Sequence, residues 1–527
     1  MKNDIKLMTI LGLSTAIIPA CNRQNAQVQS PNIIYIMTDD HAYRTISAYG
    51  GPLEELAPTP NIDRIAKDGI RFDRCLVTNS VSAPSRAVIL TGKYSHLNGH
   101  LENYDSRSNP EFEKPFDGAQ QTFPKILQAG GYHTALIGKW HLQSDPTGFD
   151  HWEILPGQGN YYNPDFITKD GRHTEKGYVT ELVTEKSIQW LNEVKKSGKP
   201  FMLMMQHKAP HRQVEPGPNE LALYKDISIP EPPTLFDDLS KNGTAVRTAT
   251  NMTIASMRID TDMKMYNDKS KKSRGLKRMD QAQSEAWDAV YDPIIKHFYE
   301  SGLSGDDLVR FKYQRYMQDY LACIAAVDKS VGKILDYLKE NGLYKNTVVI
   351  YTSDQGFFLG EHGWYDKRFM FEQTYRTPLL IEWPGVTKPG TVSNDIVSNL
   401  DYAETILDIA GLKIPPDMQG ESMVPILKGK TPANWRTEHY YHYYEYPGFH
   451  MVKRHYGMST AQYKLIHYYY DIDEWELYDI KADPLETRNV YNDPAYESIK
   501  QDLHKKLEKL MIKYNDSEEL AKSLIWK

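Results

Sequence analysis

The sequence predicts an α/β fold: a large mixed, mostly parallel sheet flanked by helices, followed by a small C-terminal antiparallel sheet plus helix. Three observations predict it. Short apolar, β-favouring runs lack polar alternation, the pattern of strands covered on both faces, and they stop abruptly at polar residues. Asn32 to Thr38 ends in Asp39-Asp40-His41, and Thr347 to Thr352 ends in Ser353-Asp354-Gln355-Gly356. Amphipathic helical patterns alternate with these runs; in Glu181 to Lys195, Val183, Ser187, Trp190, Leu191 and Val194 share one face. After Trp435 the texture changes to short strands between turn residues, at His439 to Tyr446, Met451 to Met458, Tyr463 to Tyr470 and Glu476 to Asp479, before a last helix, Tyr496 to Lys513.

The chain opens with Lys2 and Lys6 around a polar start. An apolar run, Leu7 to Ile18, is too short to span a bilayer, and Ile18-Pro19-Ala20-Cys21 closes it. This resembles a bacterial lipoprotein signal over residues 1–21, with Cys21 lipidated; a plain secretory signal cut nearby is the alternative. Either implies export, to the periplasm or as an outer-membrane lipoprotein on a lipid anchor. Residues 22–30 read as a polar linker, 31–434 as the α/β domain with an insertion at about 215–310, and 435–527 as the α+β subdomain. The insertion is rich in proline, carries a basic run from Lys269 to Arg278, and closes on a long helix, Leu308 to Asn341. A net charge of −7 argues against nucleic acid as a partner, so a polyanionic substrate must meet a local basic site. The 36 tyrosines suit sugar stacking and a β-rich fold equally. Cys75 and Cys323 either pair or stay as buried thiols, and without Cys/His zinc spacing any metal takes oxygen ligands.

Candidate chemistry sits at the ends of the strands. Adjacent carboxylates at Asp39 and Asp40 repel unless a cation lies between them, and Asp354 with Gln355 forms a second such ending. Sites in open α/β sheets form outside the carboxyl ends of strands, so the two segments together make a hard-cation site. Pro84 suits the first helical position of a helix running to Gly92, which puts Ser82 at its N-terminus with Arg86 in the first turn. That is an address for sulfate or phosphate, although an isolated Ser-x-Pro-Ser-Arg also serves as a plain helix cap. The strand Tyr132 to Ile137 leads into Gly138-Lys139-Trp140-His141, where Lys139 and His141 can face one side.

The segment Ser82-Ala83-Pro84-Ser85-Arg86, continued by Leu90-Thr91-Gly92-Lys93-Tyr94, resembles the signature of type I, formylglycine-dependent sulfatases in its serine form. The GKWH segment at 138–141 and the turn Asp483-Pro484-Leu485-Glu486-Thr487-Arg488-Asn489 extend the resemblance over most of residues 31–490. It implies an alkaline-phosphatase-like fold and a Ser82 oxidised by a maturation enzyme to formylglycine (3-oxoalanine), whose hydrated aldehyde is the nucleophile. It implies one Ca²⁺ held by Asp39, Asp40, Ser82, Asp354 and Gln355, with Gln355 standing where the family more often has Asn. Lys139, Lys367 and Arg86 would hold the sulfate, His141 would transfer a proton, and His211, directly after Pro210, would protonate the leaving alcohol; His207 reads as structural. The segments 79–99 and 360–379 are most similar to N-acetylglucosamine-6-O-sulfatases acting on heparan, keratan or mucin glycans, which points to glycosaminoglycan degradation and a sulfated glycan substrate. Glu361, His362, Trp364, Arg368 and His455 are the candidates for sugar contact. Two alternatives stay open: a phosphodiester or phosphonate hydrolase of the same superfamily using unmodified Ser82, and a non-catalytic sulfoglycan-binding lipoprotein.

Overall fold

Asn32–Asp39 is a central strand of a ten-stranded sheet, and both its faces are apolar because both are covered. Ile34 and Ile36 enter one core layer, while Ile33, Tyr35 and Met37 enter the other. The computed structural model describes residues 30–103 and 114–525; the expected signal with Cys21, and all of the expected linker but Ser30, lie outside the described residues.

The strand pairs in parallel with Thr347–Ser353 on one side and Phe201–Pro210 on the other. Beyond the latter, His133–Lys139 and His151–Leu155 continue in parallel, so five strands deliver their carboxyl ends to one edge. Leu379–Glu382 and Ile70–Phe72 extend the sheet beyond Thr347–Ser353, ending in Thr391–Ser393, and Asp165–Thr168 and Gly171–Thr174 complete the far side. Helices Pro60–Asp68, Val179–Val194 and Gly305–Glu340 cover one face. Helices Ser82–Thr91, Phe123–Ala129 and Tyr402–Ile409 cover the other.

Several expectations change in detail. The strand expected at 201–205 runs on to Pro210, because it stays sandwiched between two parallel neighbours up to the site. The segment expected as a proline-rich insertion contains the helix Gln281–Ser301, opened by a capping box between Asp280 and Gln283. Its Trp287 and Tyr291, with Met263 and Met265, join the core under the 36-residue helix Gly305–Glu340. The basic run is paired: Lys269 and Lys272 each lie 2.7 Å from Asp288, and Arg278 lies 2.6 Å from Asp165. These three pairs strap the run to the fold, while Lys271, Arg274 and Lys277 stay exposed.

The C-terminal sheet comprises His439–Tyr443, His455–Ser459, Tyr463–Tyr468 and Glu474–Asp479, all antiparallel, with Glu497–Lys513 packed on it. A further helix, Glu518–Leu524, was not expected from the sequence. Tyr440, Tyr441, Tyr443, Tyr444, Tyr468 and Tyr469 are buried here, so these tyrosines build core and do not display sugar platforms. Cys75 and Cys323 are both free and lie in the two separate core layers.

Candidate active site

The strand tips meet in one place. Asp39 is the last residue of its strand and Asp40 follows in the left-handed region (φ 64°), a conformation that short polar side chains tolerate; the turn separates the two carboxylates. Asp354, one residue past its own strand, accepts at Oδ1 from the backbone N–H of Asp40 (3.2 Å) and of Gln355 (3.1 Å). Ser82 opens its helix, with Pro84 as the third helical residue and not the first. The Ser82 hydroxyl donates to Asp39 Oδ1 at 3.2 Å.

Arg86 closes this frame from below. Its guanidinium donates to Asp354 Oδ2 from Nε and Nη2 (both 3.2 Å), and to Lys139 O and Gln206 Oε1 from Nη1 (both 2.8 Å). With only 2% of its surface exposed, Arg86 joins three strands through these bonds and braces the site at which a sulfate-holding role was expected of it.

Cationic and imidazole groups ring the carboxylates. Lys139 Nζ donates to Asp39 Oδ2 and, at 2.6 Å, to Gln158 Oε1. The same Gln158 amide donates from Nε2 to His141 Nε2 at 2.8 Å, which leaves the buried His141 Nδ1 without a partner. Lys367 Nζ lies 2.6 and 2.7 Å from the two Asp40 oxygens. His211 Nε2 stands 3.7 Å from Asp40 Oδ2.

Burial would raise the Asp39 carboxyl, but Lys139, His211, Arg86 and Lys367 hold it well below the usual range. Asp40 is pushed up to about 7, by burial first and then by Asp39 and Asp354, with Lys367 opposing. Burial and Asp39 likewise raise Asp354. Burial, reinforced by Lys139, holds His141 and His211 well below the usual imidazole value, and burial takes Lys139 down to about 8.

Three carboxylates thus crowd a buried site in which Gln355 donates to Asp40 from Nε2 while its Oε1 is buried without a partner. Asp39, Asp40 and His211 present donor atoms within 4.8 Å of one another. The oxygens of Asp39, Asp40 and Asp354, with the orphaned amide oxygen of Gln355, fit a hard divalent cation.

The family model described as "Sulfatase" matches residues 31–412. This chain belongs to the sulfatase family. A second family model, "N-sulphoglucosamine sulphohydrolase, C-terminal", matches residues 360–513. The N-acetylglucosamine-6-O-sulfatase of Bacteroides thetaiotaomicron is 47% identical over 523 residues, covering 97% of this chain and 91% of that protein. The human N-acetylglucosamine-6-sulfatase is 28% identical over 437 residues, 78% of this chain and 67% of that protein. A solved structure described as in complex with its substrate D-glucosamine-2-N,6-O-disulfate aligns with a TM-score of 0.88 at 47% identity, over 93% of this chain and 99% of the other. The chain is therefore a sulfuric ester hydrolase with an alkaline-phosphatase-like fold.

The sulfatase site does not include most of the expected sugar contacts. Trp364 is 0% exposed and stacked on Phe369 (centroids 4.8 Å apart). His362 pairs with Asp237 at 3.0 Å between aromatic rings, and Glu361 pairs with Arg44 while accepting from the Leu359 N–H. His455, expected at the lip of the pocket, is fully buried among Phe369, Tyr441, Tyr443 and Tyr468. These four pack into the core and leave no side chain free for a sugar. Only the next turn, with Asp366 (φ 80°) and Arg368 (φ 95°) in left-handed conformations, reaches the site. There Arg368 pairs with Asp366 and with Glu445 (3.2 Å), and His450 Nε2 lies 3.2 Å from Asp366.

Gln158, His450 and Asp366 were missed in the sequence. For Gln158 a signal exists: it is flanked by Gly157 and Gly159 just past the parallel strand His151–Leu155, the same position relative to a strand that drew attention to Asp39 and Lys139. His207, read as structural, is buried with Nε2 3.1 Å from the Ser330 hydroxyl.

Proposed function

We propose that this sulfatase removes the 6-O-sulfate from N-acetylglucosamine residues of sulfated glycans, using Ca²⁺ and a formylglycine made from Ser82. The observation that carries the reading is the convergence of Ser82, Asp39, Asp40, Asp354 and Gln355 with Lys139, His141, His211 and Lys367 at one edge of the sheet. The relative named above at 47% identity supports the choice of sugar.

When present, formylglycine and Ca²⁺ would supply an acidified geminal hydroxyl able to attack sulfur. Asp39, Asp40, Asp354 and Gln355 would hold the cation; calcium suits their oxygens and the flexible amide arm of Gln355 better than magnesium does. Lys139 and Lys367 bring fixed positive charge to the sulfonyl oxygens. His211, 3.7 Å from Asp40, would be charged by the negative charge of a bound sulfate and then give its proton to the departing sugar oxygen. His141, oriented by Gln158 and neutral, would take a proton from the nucleophile. Arg368, Asp366 and His450 offer donors and an acceptor to sugar hydroxyls beside Lys367.

Ser82 is fully buried, so a maturation enzyme would have to reach it before folding. The N-terminal pattern supports export with lipid at Cys21. Mass spectrometry of the Ser82 peptide, with sulfate release from N-acetylglucosamine 6-sulfate, tests the proposal. A peptide two hydrogens lighter together with free sulfate supports it; an intact serine with no sulfate released refutes it and favours the phosphoester or binding alternatives.

A further inference from the structure

Phe449 is 64% exposed, more than any other aromatic side chain among the described residues, and it is held at the rim of the site. It lies in the connection between the strands His439–Tyr443 and His455–Ser459, where its carbonyl accepts from Asn251 Nδ2 (3.0 Å) and Met451 N–H donates to Gly448 O (3.0 Å). Its ring meets His450 edge-on at 4.9 Å (interplanar angle 87°), and the Arg212 guanidinium lies 5.9 Å from its centroid.

Both neighbours lead into the site. His450 bonds Asp366, which pairs with Arg368 beside Lys367, and Arg212 follows His211 in the chain. Arg212 is itself fixed by Asp262 at 3.0 and 2.8 Å and by the Tyr365 ring at 4.9 Å, so one face of the phenyl ring is backed by an immobile group and the other is left open. The remainder of the ring is presented to solvent, an exposure of apolar area that costs free energy unless something covers it. The side of the site it borders is the one on which the alcohol leaves, since His211 stands there. A sugar attached to the departing residue would extend across this rim, and the C–H face of a pyranose is the apolar surface that matches an aromatic face whose flanks carry charged, hydrogen-bonding groups.

We propose that Phe449 is a stacking shelf for the sugar joined to the sulfated residue, making the enzyme prefer a glycan chain over a free monosaccharide sulfate. This rests on the glycan-sulfatase reading above. The test compares N-acetylglucosamine 6-sulfate with a disaccharide in which that residue carries one further pyranose, using the full chain and its Phe449→Ala and Phe449→Trp variants. Covering roughly half a ring face corresponds to about a five- to tenfold effect. The KM ratio of disaccharide to monosaccharide should therefore rise by about that factor in Phe449→Ala and return toward the original in Phe449→Trp, with kcat held. An equal loss on both sugars, or none on either, overturns the shelf alone. If the unaltered enzyme releases sulfate from neither sugar, the glycan reading falls and the shelf with it.

Discussion

Replacing Arg86 with alanine should damage the frame of the site before it damages any contact with substrate. The buried guanidinium joins Asp354, Lys139 O and Gln206 Oε1, three groups from three different strands. Its loss leaves the Asp354 carboxylate, already raised by burial and by Asp39, without its main counter-charge, and breaking a buried pair from one side costs about 3–5 kcal/mol. A 527-residue chain unfolding as one unit loses about 1 kcal/mol per degree near its midpoint, so Arg86→Ala should lower Tm by about 3–5 °C. Scanning calorimetry in EGTA keeps bound metal out of the comparison. Most of the cost is the stranded carboxylate, so Asp354→Asn added to Arg86→Ala should recover part of the loss instead of deepening it. A shift under about 1 °C for the single variant, or a double variant less stable than the two singles combined, would refute the strut assignment.

Lys139→Ala and Lys367→Ala should each lower kcat about 10²–10³-fold with unchanged circular dichroism, measured as sulfate release. Gln158→Ala should lower kcat about tenfold with little change in KM, because it orients His141 and Lys139 without contacting the sugar. Burial pushes the Glu404 carboxyl up to about 8 from an unfolded value near 4.5. Between those values the folded chain keeps a proton that the unfolded chain releases, so stability falls as pH rises, by up to about 1.4 kcal/mol per pH unit. Glu404→Gln, which keeps the acceptor for the Gly420 N–H, should therefore raise Tm at pH 8 and leave it unchanged at pH 4.5 in thermal scans. Trp364→Ala should cost about 3–5 kcal/mol of stability in denaturant titration while the folded fraction keeps its kcat, whereas Arg368→Ala should lose activity on the sugar sulfate and also about 3–5 kcal/mol of stability, because it strands the buried carboxylates of Asp366 and Glu445.

The metal-side residues were legible because their physics is local. An apolar run that stops at two carboxylates states both the burial of the strand and the need for a counter-charge, and parallel pairing of Asn32–Asp39 with Thr347–Ser353 then brings Asp40 and Asp354 together. The sugar side was poorly legible because sequence neighbours there face different ways. Glu361, His362 and Trp364 are close to Lys367 in the chain, yet they are engaged by Arg44, Asp237 and Phe369, and His450 arrives from the other sheet. Helix Gln281–Ser301 was hidden by its polar composition and by Pro293 within it; it is fixed by Trp287 and Tyr291 packing on distant residues, information that no short window contains. The bracing bonds of Arg86 to Lys139 O and to Gln206 were not legible, since those partners come from other strands and are visible only in three dimensions.

The division of labour between the two sheets has an engineering consequence. Sulfur chemistry hangs from the tips of the large parallel sheet, whereas Glu445, Phe449 and His450 are carried by one connection of the small antiparallel sheet. If the shelf proposed above holds, grafting that connection between related enzymes would change which sugar is preferred without touching Ser82 and the strand tips. The graft would have to carry Asp366 and Arg368 with it, since Glu445 and His450 are paired to them.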